Sequence, residues 1–432
     1  MSLSDRALVV SRPSALTKIW EVIANAWHPD SNPSGYVSLG VAENSLMHSE
    51  LAAKLPAPAD IPHSSFTYGD GPSGSQRLKK ALAAYLNHRH NPVTRVLPQH
   101  IIATNGCSAA IEQLSWALAN PGDVWLLGQP FYGTFQPDLT LRPTAVIQPV
   151  AFGAVDGQPA VDPLSLEAVT RYEAALEAVH VCGQKVAGLV LCNPHNPLGR
   201  CYPRETIEAL MELCGRHSIH LIVDELYALS VWKNTVDSDT EPAEFVSTLS
   251  IPLENKMDPQ LLHVLWGMSK DFGANGIRMG MIIDQYNEPL RTALGTTALY
   301  SSVSSLTDAM TAAIFEDEAW VDAYVAENSR RLARHFELLA AWAKDNSVPY
   351  VRGANAGFFL WVNLGEVYRQ RHAGAKTAAD NSDLMEALLA QRVFLASGAN
   401  FGSEEAGWFR IVFSVDEAAL REGLRRIERA LF

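Results

Sequence analysis

Leu262-His263-Val264-Leu265-Trp266-Gly267-Met268-Ser269-Lys270-Asp271-Phe272-Gly273-Ala274-Asn275-Gly276-Ile277-Arg278-Met279-Gly280 begins as a short apolar run, Leu262 to Trp266, and then turns polar and glycine-rich. An apolar run of that length, closed by glycine, reads as a buried strand. The lysine that follows sits at the strand end, where a dry pocket lowers an amine's pKa enough to make it a nucleophile and a base. The glycines allow tight turns and close backbone approach. Arg278, eight residues on from Lys270, can return to the same place and clamp a phosphate with a charge-assisted fork, and Ser269 can add its hydroxyl.

Working outward, short apolar runs alternate with longer helical patterns. Val124 to Leu127, Thr144 to Val150, Gly188 to Cys192, His220 to Val223 and Met279 to Ile283 read as further strands. Cys107 to Leu118 and Pro203 to His217 read as helices between them, the second with Pro203 at its start and Gly215 near its end. This alternation signals an α/β fold with a mostly parallel sheet. The last third differs. Leu306 to Lys344 reads as one or two long helices broken near Glu316-Asp317-Glu318, and Gly357 to Val362, Phe394 to Ser397 and Trp408 to Phe413 read as strands before a closing helix, Asp416 to Leu431. The expected organisation is an N-terminal arm and part of a small domain over 1–62, a large domain over 63–305 and a small C-terminal domain over 306–432. The proline-rich stretch Pro56 to Pro62 would be the crossing into the large domain, and Asn234 to Glu241 a surface excursion.

Composition bounds the function classes. The 432 residues carry 34 Lys and Arg against 47 Asp and Glu, a formal charge of −13, and a hydrophobic fraction of 47%. A sizeable core is expected. The acidic balance argues against a nucleic-acid partner, which needs a concentrated positive surface. No apolar run approaches the ~18 residues of a membrane span, and Leu8-Val9-Val10 is too short for a secretory core. The five cysteines include no CxxC pair, so neither a disulfide framework nor a zinc site is expected, and no other metal. A cytoplasmic location follows as the expectation.

Three other segments carry chemistry. Cys192-Asn193-Pro194-His195-Asn196-Pro197-Leu198-Gly199 is a proline-fixed turn that can present the Asn196 amide. In His220-Leu221-Ile222-Val223-Asp224-Glu225-Leu226-Tyr227 a carboxylate closes an apolar strand, a setting that calls for a cationic partner such as a protonated pyridine nitrogen. Tyr227 can reach the other side of the same ring. Thr104-Asn105-Gly106-Cys107-Ser108 enters a helix whose free N–H groups and dipole favour a phosphate. Tyr132, after Pro130-Phe131, can stack on a flat ring. A phosphate cradle (Gly106, Cys107, Ser108, Ser269, Arg278), a ring acid (Asp224), phenolic-oxygen donors (Asn196, Tyr227), a stacking ring and a Schiff-base lysine together describe pyridoxal 5′-phosphate.

With these motifs in place the sequence resembles the class I/II aminotransferases of fold type I, and within them the 1-aminocyclopropane-1-carboxylate synthase-like branch. The resemblance covers about residues 36–432. It rests on Leu39-Gly40-Val41-Ala42-Glu43-Asn44, Asn193 to Gly199, Asp224-Glu225-Leu226-Tyr227, Ser269-Lys270-Asp271 and Phe409-Arg410-Ile411-Val412-Phe413-Ser414. It implies a mostly parallel seven-stranded sheet in the large domain and a smaller α/β domain. It implies that Lys270 holds the cofactor as an aldimine, that Arg410 takes the substrate α-carboxylate, and that Glu43 lies near the substrate. Members are homodimers with active sites at the subunit interface, and each site takes a tyrosine from the neighbouring subunit. The corresponding stretch is Tyr68-Gly69-Asp70-Gly71-Pro72-Ser73-Gly74, in which Pro72 stands where plant synthases place that tyrosine and Tyr68 is the candidate replacement. The stretch is similar to fungal relatives that include carbon–sulfur lyases of secondary metabolism. The expected activity is a lyase acting on an amino-acid substrate through an α-carbanion, cleaving a carbon–sulfur bond by β-elimination. The alternatives are an aminotransferase, a 1-aminocyclopropane-1-carboxylate synthase and, from another class, a pyridoxal phosphate-sensing transcription regulator. The last needs a DNA-binding domain, and only 35 residues precede Tyr36.

Overall fold

The central strands are buried on both faces, and that decides where they lie. Every residue of Val186–Cys192, Leu262–Gly267 and Met279–Ile283 is buried. Continuous apolar runs of this kind suit a sheet covered by helices on both sides. In the computed structural model, which describes residues 3–11, 15–55, 61–155, 157–372 and 381–432, the strands in chain order are β1 (Val37–Ser38), β2 (Ile101–Asn105), β3 (Val124–Gly128), β4 (Val146–Val150), β5 (Val186–Cys192), β6 (His220–Asp224), β7 (Leu262–Gly267), β8 (Met279–Ile283), β9 (Phe359–Asn363), β10 (Val393–Phe394), β11 (Ala396–Ser397) and β12 (Trp408–Val412). Seven form one sheet in the order β2-β8-β7-β6-β5-β3-β4. Only β8 runs against its neighbours; the other pairings are parallel. The expected mostly parallel seven-stranded α/β sheet is present. A separate antiparallel sheet, β11-β12-β9, and the β1–β10 pair are built from the two ends of the chain.

Several expectations change in detail. β2 was not among the strands read from the sequence; it ends on the polar pair Thr104-Asn105 and lies at the sheet edge, so its apolar stretch is short. The stretch Phe394 to Ser397 is not one strand. Its two halves pair with different partners, β10 with β1 and β11 with β12. The helix Arg204–His217 is present with Gly215 near its end, as expected, and stops at left-handed Ser218. A Cβ at Gly215 would stand 1.9 Å from the Lys256 carbonyl, so glycine is there for close approach. The break at Glu316-Asp317-Glu318 separates Ser305–Phe315 from Glu318–Asp345, and Asp317 caps the second helix by accepting from Trp320 N at 3.1 Å. Asn234 to Glu241 runs over the surface as expected, and one buried residue pins it: Asp237 accepts from Tyr350 Oη at 2.8 Å and Gly353 N at 3.1 Å. Most of Pro56 to Pro62, residues 56–60, lies outside the described residues. Among the described residues no helix is long and apolar enough to cross a membrane.

The topology sets the site. β2, β5, β6 and β7 all point the same way, so Gly106, Asn193 to Gly199, Asp224 to Tyr227 and Met268 to Lys270 emerge at one edge, the carboxyl ends of the strands, where open α/β sheets bind ligands.

Candidate active site

Gly106 caps the helix Cys107–Leu118 with φ +81°, a conformation that glycine adopts without strain. A Cβ there would lie 2.1 Å from Arg278 Nη2. Arg278 donates from Nη1 to Asn275 O at 2.8 Å and from Nη2 to Asn105 O at 3.4 Å, which fixes the guanidinium over the helix start. Gly280 lets β8 pass close by, since a Cβ there would stand 2.7 Å from Cys107 N. The first-turn N–H groups, the exposed Ser108, the buried Ser269 and Arg278 make a cradle for a dianion. Cys107 is buried, with Sγ 3.4 Å from Trp266 O, so it contributes backbone and not a reactive thiol.

Asp224 closes β6 and is 3% exposed. Its carboxylate accepts a hydrogen bond from Leu226 N at 3.1 Å. Among the described residues no lysine, arginine or histidine forms an ion pair with it, and burial pushes its pKa up to about 7. A carboxylate so placed calls for a cation from outside the chain. Asn196 and Tyr227 are buried beside it, Asn196 Nδ2 donating to Tyr227 Oη at 3.5 Å. Tyr132 is half-buried and meets Phe135 edge-on at 5.4 Å.

Lys270 sits on the four-residue helix Met268–Asp271 at the end of β7 and donates to Ala42 O at 2.8 Å. Burial, and then the nearby Arg410 charge, lower its amine to about 8, against the opposing pull of Glu43 and Asp224. Arg410 is 4% exposed. It donates from Nη1 to Asn196 Oδ1 and from Nη2 to Gly40 O, both at 2.8 Å, and lies over Phe401 and Phe359. Its Nε is buried without a partner. Exposed Glu43 accepts from Asn275 Nδ2 at 2.6 Å.

One cavity is lined by Cys107, Ser108, Tyr132, Asn196, Asp224, Tyr227, Ser269, Lys270 and Arg278. Gly106 and Arg410 adjoin it through Arg278 and Asn196, and Glu43 through Asn275. Tyr68 is not brought there. It is 94% exposed and lines a separate cavity with Gly71, Ser304 and Asp308. Asn275 lines the cavity, and the Gly40 and Ala42 carbonyls hold Arg410 and Lys270, yet nothing in the sequence marks these three as site residues. Asn275 stood inside the quoted lysine motif; backbone carbonyls carry no sequence mark. The donor set fits pyridoxal 5′-phosphate: a dianion cradle at one end, an unpaired acid at the other, an amide and a phenol between, and an amine of lowered pKa beside them.

Comparison with known proteins agrees. The chain is 30% identical over 440 residues to the mouse (Mus musculus) 1-aminocyclopropane-1-carboxylate synthase-like protein 1, covering 99% of this chain and 84% of that one. It is 32% identical over 369 residues to the probable aminotransferase gliI of Aspergillus fumigatus, covering 84% and 82%. It is 30% identical over 415 residues to 1-aminocyclopropane-1-carboxylate synthase 2 of Cucurbita pepo, covering 93% and 80%. The fold matches the aspartate aminotransferase of Thermus thermophilus with a TM-score of 0.75 at 20% identity, over all of both chains. Residues 35–427 match the profile of the aminotransferases of class I and II, and the chain belongs to that pyridoxal phosphate-dependent family.

Proposed function

We propose that this chain is a lyase that removes a sulfur substituent from the β-carbon of an amino acid, with Lys270 moving the α-proton. The observation that carries the substrate class is Arg410: a buried guanidinium with an unpartnered Nε and no carboxylate paired to it among the described residues. An α-carboxylate supplies the missing partner in a bidentate fork. When bound, pyridoxal phosphate supplies an aldehyde that links to amines and a ring that draws electrons from the substrate's α-carbon. The chain's part is to hold and to move protons. Ser108, Ser269, Arg278 and the backbone of Gly106 and Cys107 grip the phosphate, Asp224 keeps the ring nitrogen protonated, Asn196 and Tyr227 orient the ring oxygen, and Tyr132 covers the ring face. Lys270, with its pKa near 8, is neutral often enough near pH 7 to take the α-proton.

Elimination is favoured over cyclopropane formation because Pro72 replaces the tyrosine of the plant synthases. A thiolate also leaves without a strong acid, and Glu43, a carboxylate whose charge acts on Lys270, is engaged by Asn275. The balanced reaction takes a cysteine S-conjugate and water to pyruvate, ammonia and free thiol. Pure protein mixed with a cysteine S-conjugate should release all three in equal amounts without any keto acid, and Lys270→Ala should release none. Thiol release that requires an added keto acid would overturn the reading. The second reading, an aminotransferase, is favoured by the name of the A. fumigatus relative. It expects the visible spectrum to change on adding amino donor alone and to revert on adding keto acid.

A further inference from the structure

We propose that Asp271 is a positioning residue that holds the Lys270 amine in register with Asp224 and Tyr227, by clamping the lysine turn to the turn after β6. The proposal rests on the reading of Lys270 given above. The helix that carries Lys270 has four residues, too few to be stable alone. Adjacent helical residues point about 100° apart, so Asp271 turns away from the cavity and into the core, where it is 1% exposed. It accepts three hydrogen bonds there: from Ser230 Oγ at 2.7 Å, Leu229 N at 3.0 Å and Trp266 Nε1 at 3.0 Å. Trp266 belongs to β7, the strand that leads into the lysine. Leu229 and Ser230 belong to the turn that begins at Asp224 and carries Tyr227. One side chain therefore joins the segments that bear the amine, the ring acid and the phenol.

All three partners are neutral donors, and Asp271 forms no ion pair among the described residues. Burial pushes its carboxyl up to about 7. The clamp thus acts by accepting hydrogen bonds and does not need its charge. An asparagine satisfies the same set: its oxygen can accept from Leu229 N and Trp266 Nε1 while its amide donates to Ser230 Oγ.

The test uses the full chain in two forms. In the cofactor-stripped protein, competitive acylation of Lys270 followed by peptide mass spectrometry reads the amine's titration, which should have its midpoint near 8. In the loaded protein, borohydride reduction reads the fraction of cofactor fixed to Lys270. Asp271→Ala should raise the midpoint by about one pH unit, as water reaches a loosened amine, and should lower the trapped fraction. Asp271→Asn should restore both. Ser230→Ala, which removes one donor, should shift the midpoint less and in the same direction, and it keeps the proposal testable where Asp271→Ala fails to fold. Leu229→Ala is the packing control: it opens the same junction but keeps the backbone N–H. A midpoint unchanged in Asp271→Ala, an Asn variant that behaves like the Ala variant, or a Leu229→Ala shift as large as that of Asp271→Ala would each overturn the clamp. A wild-type chain in which Lys270 is neither trapped nor titrates below the ordinary lysine range would instead overturn the reading of the lysine itself.

Discussion

At Arg410 a cation is buried between the rings of Phe359 and Phe401 and satisfied at only two of its three nitrogens. Arg410→Lys keeps the charge but loses the planar fork. Each hydrogen bond to a charged group is worth about 1.5–3 kcal/mol, so kcat/KM should fall roughly 10- to 150-fold, with cofactor content unchanged; steady-state kinetics and the visible spectrum check both parts. Asp224 makes a prediction of a different kind. Its carboxyl is raised from 3.8 to about 7 by burial. The folded, cofactor-free chain therefore holds a proton that the unfolded chain releases above about pH 4, and stability falls as pH rises from about 4 to about 7. Asp224→Asn lacks that loss. It should melt above wild type at pH 7.5, with the gap closing toward pH 4. Asp138 and Asp271, also pushed to about 7, are present in both proteins and cancel. On the role proposed for Asp224, bound cofactor supplies the cation its carboxylate lacks and should raise the wild-type melting temperature more than that of the variant. A gap that does not depend on pH would sink this account. At this scale the sequence was informative wherever a charged side chain closes an apolar strand, as at Asp224 and Lys270. It was silent on Gly40 and Ala42, which act through carbonyls that every residue has.

Among the elements, the junction of β2, β7, β8 and the helix Cys107–Leu118 is tightly constrained. Three close approaches meet there: Gly106 against Arg278, and Gly267 and Gly280 each with a would-be Cβ 3.0 Å from Cys107 Sγ. Gly106→Ala places a Cβ on a guanidinium nitrogen at a positive φ, a strain of about 1–3 kcal/mol. Cofactor affinity should fall by roughly 5- to 150-fold, measured by fluorescence titration of the stripped protein. Gly295→Ala is the contrast. It lies inside the helix Glu288–Thr297 with open space around it, and should stabilise slightly, by about 0.5–1 kcal/mol, without touching the cofactor. Element type was legible where the apolar run was continuous, as in β5, or the period strong, as in Cys107–Leu118. It was lost where pairing partners change within a few residues, as between β10 and β11, because a run of apolar residues does not say which neighbour each half will bond.

Across the whole molecule, one face is more apolar than a solitary chain needs. Phe66, Tyr68, Leu299 and Tyr300 are 78%, 94%, 70% and 86% exposed. Tyr68 and Leu299 border one cavity, and Tyr300 borders another that also reaches Trp116, Leu141 and Ser108 of the phosphate cradle. Apolar surface gathered around an active site calls for a covering partner, and with the family's commonly dimeric habit we infer a second copy of this chain, the active sites lying at the contact. On that inference Tyr68, which lines a separate cavity of its own chain, would serve the active site of the neighbour. This reading is checked by subunit complementation. Lys270→Ala and Tyr68→Ala should each be nearly inactive alone. Mixed and allowed to exchange, they should recover activity, because a heterodimer rebuilds one site with both residues intact and leaves the other with neither. If Tyr68 acted within its own chain, every site in the mixture would lack one of the two residues, and no activity would return. Tyr300→Glu should weaken the contact by burying an unpaired charge. Mass by light scattering and activity should then fall together on dilution, whereas a monomeric enzyme would keep its rate per chain at every concentration.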